Sequence, residues 1–415
     1  MPNLRLYRVI AAISIMFAAT YPAVAAMPVG NRALPDVKGA AAVLMDVDTG
    51  AVLYSRNPHA RLPNASTTKI MTAILIIEHC KMTDRVKASK SACETPYTSL
   101  HLKPGETITV KDLLMGLMVR SANDAAAAAA EHIAGSAAKF ADMMNRKARE
   151  IGCTDTHFVT PNGLYDPGHY SSAYDLCLMA RYAMRYPEFN EAVRTRKYCL
   201  DSRSINKEDL WVFSHSPFLR RYPGADGVKS GYTREAGRCY VGSATRDGWR
   251  LVSAVLGSPN ASDDTVAMMD YGFGGFVRRT VVTADEKCAD APVVGGWRAS
   301  VPARAAKDLK VPVPRSGGNI TTRTLFSRVE APVAQGDKLG RLKAFVDGRE
   351  VATVDLVAAQ DMGISFARRA LGVMKGCGII VACLVGGMYG TAIAKGARRR
   401  RRRVTSPLRI DNRRR

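Results

Sequence analysis

The amino-acid sequence predicts an α/β (α+β) fold that combines an antiparallel sheet with a helical subdomain, followed by a small all-β domain and a C-terminal membrane helix. Three observations predict it. Strand-like segments open the main part of the chain and return after residue 223, with helix-like segments between them. Short β patterns punctuated by prolines follow residue 279, and residues 376–394 carry no charged side chain. Separate runs of strands and helices are typical of α+β proteins.

The main domain is predicted to span residues 33–278. Its first two strands form a hairpin within residues 40–54. Apolar residues at helical spacing predict the helices of its middle part, which are residues 66–80, 111–119, 124–134, 138–151 and 173–185. Three strands and a closing helix are predicted at residues 227–232, 238–245, 249–256 and 265–271.

The small all-β domain is predicted over residues 279–358. Valine and threonine alternate in this stretch, which is typical of strands. Asp347-Gly348-Arg349 is a turn sequence between the short strands at 342–346 and 350–354, so these strands are expected to pair as a hairpin.

The N-terminus has the three parts of a secretory signal peptide. Arg5 and Arg8 precede an apolar run at residues 9–19, and small residues at 23–25 form a cleavage site. Residues 1–26 are therefore predicted to direct export; a buried N-terminal helix is the alternative.

The C-terminal region is predicted to anchor the protein. Residues 363–395 comprise an amphipathic lead-in and an apolar stretch at 376–394, which is long enough to cross a bilayer as a helix. The basic tail at 396–415 is predicted to be cytoplasmic, since positive charge favours that side, and the signal peptide places the rest of the chain outside. A helix lying in the membrane interface is the alternative.

The charge distribution argues against nucleic-acid binding. The net charge is +23, but eleven basic residues and only one acidic residue, Asp411, occupy the last 21 positions. A basic run beside an apolar segment is typical of an anchor on anionic lipid. The sequence therefore predicts a membrane partner and no nucleic acid.

The cysteines and histidines show no metal-binding pattern. Of nine cysteines, Cys377 and Cys383 lie in the predicted membrane segment, and the other seven include no Cys-x-x-Cys pair. Most are predicted to be buried thiols. The sequence also allows one disulfide, but it does not indicate which two cysteines would form it. The seven histidines lack zinc-like spacing, so no metal site is predicted.

Three short motifs carry the candidate chemistry. Ser66-Thr67-Thr68-Lys69 lies at a predicted helix start, where residues three apart share one face and the hydroxyl can meet the amine. Ser121-Ala122-Asn123 lies between two predicted helices, and Lys229-Ser230-Gly231 lies on a predicted strand. Each motif alone also fits an ordinary capping serine, helix cap or strand.

In this order the three motifs resemble the set found in low-molecular-weight penicillin-binding proteins that act as serine-type D-alanyl-D-alanine carboxypeptidases, peptidase family S11. The resemblance extends to Thr156-His157-Phe158-Val159-Thr160-Pro161-Asn162-Gly163-Leu164 and to His169-Tyr170-Ser171-Ser172-Ala173-Tyr174-Asp175-Leu176. It covers residues 40–271 by motif and the remainder by architecture, and it implies a penicillin-binding, transpeptidase-like fold.

The resemblance implies serine acyl transfer without a cofactor. Ser66 is expected to attack the penultimate D-Ala carbonyl of a peptidoglycan stem peptide, with Lys69 as its base. Ser121 is expected to pass a proton to the departing D-Ala, and Asn123 to orient Lys69 and the substrate amide. β-Lactam antibiotics are expected to acylate the same serine, and the catalytic domain is expected on the outer face of the membrane.

The third motif is expected to bind the substrate. The resemblance implies that Lys229 and the Ser230 hydroxyl meet the terminal carboxylate, and that Gly231 and Tyr232 line the same strand. The backbone amides of Ser66 and Tyr232 are expected to form the oxyanion hole.

Two departures from the family pattern are visible. Ser230 stands where threonine is usual, which keeps the hydroxyl and loses a methyl group. Residues 258–264 carry Asp263 and Asp264 but no basic residue, where some relatives are expected to place an arginine for the substrate carboxylate.

Three alternatives remain from the sequence. A class A β-lactamase shares the motifs, but no glutamate between Ser121 and Lys229 has a recognisable deacylating context. The sequence distinguishes poorly between a carboxypeptidase and a DD-endopeptidase that cuts cross-links. A non-catalytic envelope-binding protein is disfavoured because every catalytic position is kept.

Overall fold

The structure is a computed structural model that describes residues 33–284 and 286–366, together with residues 370, 379, 384–388 and 390–395. The predicted signal peptide at 1–26 and the tail at 396–415 lie outside the described residues, as do eight of the nineteen residues of the apolar stretch at 376–394. Within the described part of the chain, no helix is long and apolar enough to cross a membrane.

The described chain divides into two units. The first contains residues up to Arg278 together with Pro312–Gly318, and the second contains Arg279–Val311 and the residues from Asn319 onward.

The strands of the first unit include the three predicted near its end. They are β1 (Ala41–Asp46), β2 (Val52–Arg56), β3 (Arg85–Lys87), β4 (Thr107–Thr109), β5 (Lys197–Cys199), β6 (Trp211–Phe213), β7 (Ala225–Thr233), β8 (Gly237–Arg246) and β9 (Trp249–Ser258). Five of them form an antiparallel sheet in the order β2-β1-β9-β8-β7. β7 is therefore an edge strand, with one side open to a further strand.

Nine helices are described in the first unit. They are α1 (Lys69–His79), α2 (Lys90–Cys93), α3 (Val110–Met115), α4 (Asn123–Ala134), α5 (Ala137–Ile151), α6 (Ala173–Ala183), α7 (Pro187–Arg194), α8 (Pro217–Arg221) and α9 (Ala261–Gly275). All five helices predicted from residues 66–185 are present, although two begin or end in a different helical form. The short α2, α7 and α8 were not predicted, because each has fewer than three full turns of pattern.

The core lies between the sheet and the helices. Every residue of β1 is buried, which indicates that both faces of the central sheet are covered, and α6 and α9 both pack against β9. The helical part is built around α4, in which five of the seven alanines are buried. Their small side chains let α1, α2 and α5 pack close to its axis.

The second unit is mainly β structure, as the sequence predicts. Its strands and those that lead into it are β10 (Phe276–Val282), β11 (Lys287–Val294), β12 (Ser300–Ala305), β13 (Leu309–Pro314), β14 (Ile320–Phe326), β15 (Val329–Glu330), β16 (Lys338–Val346) and β17 (Arg349–Ala358). Six form a sheet in the order β14-β16-β17-β12-β11-β15. The predicted hairpin around Asp347 and Gly348 is present, joining β16 to β17.

Candidate active site

Ser66 lies in a tight turn just before the first long helix. Ala65–Thr68 form a single 3₁₀ turn, and α1 begins at Lys69, so the predicted helix has a tighter first turn than expected. Ser66 Oγ and Lys69 Nζ are 2.8 Å apart. The turn therefore brings the hydroxyl and the amine into direct contact.

Lys69 is completely buried, and its amine has three polar neighbours. Nζ donates to Asn123 Oδ1 at 2.7 Å and to the carbonyl oxygen of Asn162 at 2.9 Å. Both of these oxygens can only accept. A neutral amine has two N–H bonds and one lone pair, so with both N–H groups used, the lone pair is left for Ser66.

The environment of Lys69 favours that neutral form. Burial lowers the pKa of the Lys69 amine well below its ordinary value, and the nearby Lys229 amine lowers this pKa further. Asp124 acts in the opposite direction as a weaker influence. Lys69 is thus suited to accept the proton of Ser66.

The second motif follows a π-helical segment at Gly116–Arg120. Ser121 comes next with a positive φ of 69°, and α4 begins at Asn123. Local distortions of this kind recur at functional sites. Asn123 also donates from Nδ2 to the carbonyl oxygen of Pro96 at 2.8 Å, so its side chain links the lysine to a neighbouring loop.

The third motif forms the opposite wall of the cleft. Lys229 on β7 is almost fully buried, and its Nζ donates to the carbonyl oxygen of Ser230 at 3.0 Å. Burial lowers the pKa of Lys229 to about 7. A terminal carboxylate at this position would favour the charged form of Lys229.

Gly231 allows β7 to approach the turn that holds Ser66. A Cβ at Gly231 would lie 2.7 Å from the backbone nitrogen of Ser66 and 3.0 Å from Cβ of Ala65. Any larger residue would push the strand away. The backbone of the third motif is therefore fixed beside Ser66.

The predicted site residues converge on one cleft of about 1310 Å³. Its lining includes seven of the eight: Ser66, Ser121, Asn123, Lys229, Ser230, Gly231 and Tyr232. Lys69 lies beneath it, bonded to Ser66 and Asn123. Ser121 and Lys229 share the cleft with Ser66, and among the described residues no hydrogen bond joins their side chains to Ser66 or Lys69.

Two further residues organise the site. The backbone carbonyl oxygen of Asn162 accepts a hydrogen bond from Lys69 Nζ. In the buried ring of His169, Nε2 lies 2.8 Å from Thr68 Oγ1. His169 Nδ1 accepts from the backbone N–H groups of Val159 and Thr160, which fixes the proton on Nε2. The sequence marks this stretch only through the resemblance, because a main-chain acceptor leaves no residue-type signal.

The segment without a basic residue also borders the cleft. Pro259, Asn260 and Ser262 contribute to the lining. Asp264 is buried and accepts from the backbone of Lys38 and Gly39 at 2.9 Å, so its carboxylate stabilises the fold. Asp263 pairs with Arg221 at 3.1 Å.

No group of three or more His, Cys, Asp or Glu side chains in the described part of the chain is arranged to hold a metal ion. All seven cysteines there are free thiols, so the disulfide that the sequence left open is not formed among them.

Comparison with known proteins identifies two regions. A sequence profile of the peptidase S11 family, D-alanyl-D-alanine carboxypeptidase, matches residues 29–260. A profile of the C-terminal domain of penicillin-binding protein 5 matches residues 276–363. The two matches together cover most of the described chain.

Individual proteins named D-alanyl-D-alanine carboxypeptidase are also similar to this chain. The D-alanyl-D-alanine carboxypeptidase DacF of Bacillus subtilis is 33% identical over 347 residues, which cover 80% of this chain and 88% of DacF. DacB2 of Mycobacterium tuberculosis is 35% identical over 59% of this chain and 86% of its own length. The crystal structure of penicillin-binding protein 5 from Haemophilus influenzae superposes with a TM-score of 0.68 at 29% identity, covering 80% of this chain and 99% of that one.

Proposed function

This chain belongs to the peptidase S11 family of D-alanyl-D-alanine carboxypeptidases, and from that membership we propose how its cleft removes the terminal D-Ala from peptidoglycan stem peptides. One observation carries the proposal. The amine of Lys69 donates to two fixed carbonyl oxygens, Asn123 Oδ1 and the backbone oxygen of Asn162, and its lone pair is left for Ser66 Oγ at 2.8 Å.

Acylation begins at Ser66. Its Oγ attacks the carbonyl carbon of the penultimate D-Ala, and its proton passes to the neutral amine of Lys69. The negative charge that develops on the carbonyl oxygen is stabilised by the backbone N–H groups of Ser66 and Tyr232. Gly231 keeps these two N–H groups close together, because only a residue without a side chain lets β7 approach Ser66 so closely.

The leaving group needs a proton. When the C–N bond breaks, the amine of the departing D-Ala takes a proton from the Ser121 hydroxyl, which is replenished from Lys69. Ser121 lines the cleft in a left-handed backbone conformation that holds it between two helical segments. Removal of the leaving D-Ala leaves an ester between Ser66 and the shortened peptide.

The substrate binds along β7. This strand is at the edge of the sheet, so a peptide can add to it through main-chain hydrogen bonds. Lys229 supplies a cation and Ser230 a hydroxyl for the terminal carboxylate. The buried position of Lys229 excludes water from that contact and so strengthens it.

Water completes the reaction by hydrolysing the acyl-enzyme. Lys69 accepts a proton from this water as it did from Ser66 and passes it to Ser66 Oγ when the ester bond breaks, which regenerates the serine and releases the shortened peptide. A β-lactam presents a carboxylate and a strained amide to the same groups. It therefore forms an ester on Ser66 that mimics the intermediate.

The test of this function uses the detergent-solubilised full-length protein. With a stem pentapeptide as substrate, the account predicts release of free D-Ala and its inhibition by penicillin. With a cross-linked muropeptide dimer, it predicts much slower cleavage. Rapid dimer cleavage without D-Ala release from the pentapeptide would instead identify a DD-endopeptidase.

We also propose that the protein is exported and anchored by residues 376–394, with the tail in the cytoplasm. The proposal is supported by the signal-peptide pattern at 1–26 and by the charge bias across the apolar stretch. Protease added to right-side-out spheroplasts should leave a C-terminal epitope tag intact, and carbonate should not release the protein. A digested tag together with release by carbonate would place the tail outside.

A further inference from the structure

Three exposed tyrosines line the cleft. The exposed fraction is 82% for Tyr97, 65% for Tyr232 and 51% for Tyr165. Acyl transfer uses only the backbone N–H of Tyr232 and none of the three phenol rings. Large aromatic side chains held open to solvent at the mouth of a cleft are suited to contact a ligand.

Tyr97 has an unusual backbone conformation. Its φ is +70°, in the left-handed region that bulky side chains rarely adopt. Ala65 and Ser121 also have positive φ, and they are the residue before the nucleophile and the proposed proton relay. Strained residues tend to cluster where function demands a particular geometry. Of the seven non-glycine residues with positive φ in the described part of the chain, these three line or adjoin the cleft.

The backbone on both sides of Tyr97 is held by a residue of the catalytic motif. Asn123 Nδ2 donates to the carbonyl oxygen of Pro96 at 2.8 Å, and the backbone N–H of Asn123 donates to that of Thr98 at 2.7 Å. The same Asn123 accepts from Lys69. The position of Tyr97 is thus fixed relative to the reacting groups through a single residue.

The Tyr97 side chain itself contributes nothing visible to the fold. Within the described residues it makes no hydrogen bond, ring contact or cation contact. The bonds from Asn123 that hold this loop reach only the carbonyl oxygens of the neighbouring residues, Pro96 and Thr98. Tyr165 is placed in a comparable way, three residues after Asn162, whose carbonyl accepts from Lys69. Two of the fixed partners of the lysine therefore each support a loop that presents an exposed tyrosine.

The cleft has room for more than the two terminal residues of the substrate. Cavities for drug-sized ligands measure about 300–1,000 Å³, and this cleft measures about 1310 Å³. The leaving D-Ala has only a methyl group and a carboxylate, and Lys229 and Ser230 satisfy the latter. The remaining space is available to the residue that precedes D-Ala-D-Ala.

We propose that Tyr97, assisted by Tyr165, is a specificity-determining residue that packs on the aliphatic side chain of the stem-peptide residue preceding D-Ala-D-Ala. An aromatic face gains from contact with methylene groups and has no charge to match. The enzyme then favours substrates with a long side chain at that position over those with none. This inference rests on the carboxypeptidase function proposed above.

The experiment compares two substrates that differ only in that side chain, Nα-acetyl-L-Lys-D-Ala-D-Ala and Nα-acetyl-Gly-D-Ala-D-Ala. Tyr97→Ala should lower kcat/KM for the lysyl substrate by roughly tenfold, as expected for the loss of an aromatic contact, and leave the glycyl substrate unchanged. Tyr97→Phe should keep the wild-type preference, because the ring makes the contact. Trp297→Ala removes an exposed aromatic that does not line the cleft, and should change neither substrate.

A second readout separates recognition from structure. The rate of Ser66 labelling by penicillin should be unchanged in Tyr97→Ala, since a merely structural role would slow it. Equal losses on both peptides, or no loss on either, would overturn the proposal. A loss seen only with a disaccharide-linked stem peptide would also overturn it, in favour of a sugar contact. Absence of D-Ala release by the wild-type protein would instead refute the carboxypeptidase function itself.

Discussion

Lys69 Nζ donates to the backbone carbonyl of Asn162 at 2.9 Å, across 93 positions of sequence. With Asn123 Oδ1 as the second acceptor, this bond uses the remaining N–H of a neutral amine. Of the buried lysines Lys69 and Lys229, Lys229 is therefore the one left to carry a positive charge for the substrate carboxylate. The division of roles between two buried lysines leads to the first prediction.

Activity should depend on the protonation of Lys229. Its pKa in the free enzyme is about 7 because of burial, so raising the pH through that value removes the cation. We expect kcat/KM for the pentapeptide to fall above about pH 7, whereas kcat should fall only at higher pH, since the bound carboxylate stabilises the ammonium. A pH–rate profile measures both.

The control for that profile is Lys229→Arg, whose guanidinium stays charged throughout the range. If the variant is active, its kcat/KM should not fall between pH 7 and 9. A wild-type kcat/KM that is constant up to pH 9 would contradict the assignment of the charge to Lys229.

The Ser230 hydroxyl should donate a hydrogen bond to the substrate carboxylate. Ser230→Thr keeps the hydroxyl and should stay active, while Ser230→Val should lose roughly ten- to hundredfold in kcat/KM, as expected for a charge-assisted bond of about 1.5–3 kcal/mol. Release of D-Ala from the pentapeptide measures the effect. Wild-type activity in Ser230→Val would show that the carboxylate is bound elsewhere.

Gly231→Ala should impair acylation more than stability. The new Cβ would meet the backbone nitrogen of Ser66 at 2.7 Å, so the strand or the nucleophile must move. We expect penicillin labelling to slow by about 10²-fold, in line with the cost of misplacing reacting groups.

Gly272→Ala is the matched control. Its Cβ would approach Leu251 Cδ1 at 2.6 Å and Leu44 Cδ2 at 2.9 Å, which are ends of side chains that can yield. This variant should label at the wild-type rate. Equal labelling rates in the two variants would show that the close approach of Gly231 to Ser66 is not needed for acylation.

The sequence predicts which side chains meet in this cleft. Ser66, Lys69, Ser121, Asn123 and Lys229 are recognisable because their residue types and order are specific. The long helices are likewise predicted, since burial of one face imposes their period. The strands β7–β9 are predicted from short runs of strand-forming residues between turns, and β8 and β9 are buried on both faces.

Other features leave no such pattern. The acceptor at Asn162 is a backbone carbonyl, and the exposure of Tyr97 follows from a left-handed turn that no local rule requires of tyrosine. The short helices α2, α7 and α8 depend on tertiary contacts more than on their own periodicity. These features become visible only when distant segments are brought together.

His169 should make stability depend on pH. Burial lowers the pKa of its ring from 6.5 to about 4, so between these values the unfolded chain binds a proton that the folded chain does not. Stability contributed by the neutral ring is complete above pH 6.5 and is lost as the pH falls towards 4. From pH 7 to 4.5 the loss should be about 2–3 kcal/mol.

Comparison with His169→Gln isolates this contribution, because the carboxylates that also titrate are common to both proteins. Urea unfolding at the two pH values should show the wild-type advantage over the variant shrinking as the pH falls. A difference in unfolding free energy that stays constant from pH 7 to 4.5 would contradict the buried neutral ring.

The central claim is that Ser66, activated by Lys69, forms the acyl-enzyme. Mass spectrometry of the full-length protein after incubation with benzylpenicillin tests it most directly, with peptide mapping to locate the adduct. The account predicts one adduct on the peptide that contains Ser66, and none in a folded Ser66→Ala variant. An adduct on another residue, or one that persists in folded Ser66→Ala, would contradict it.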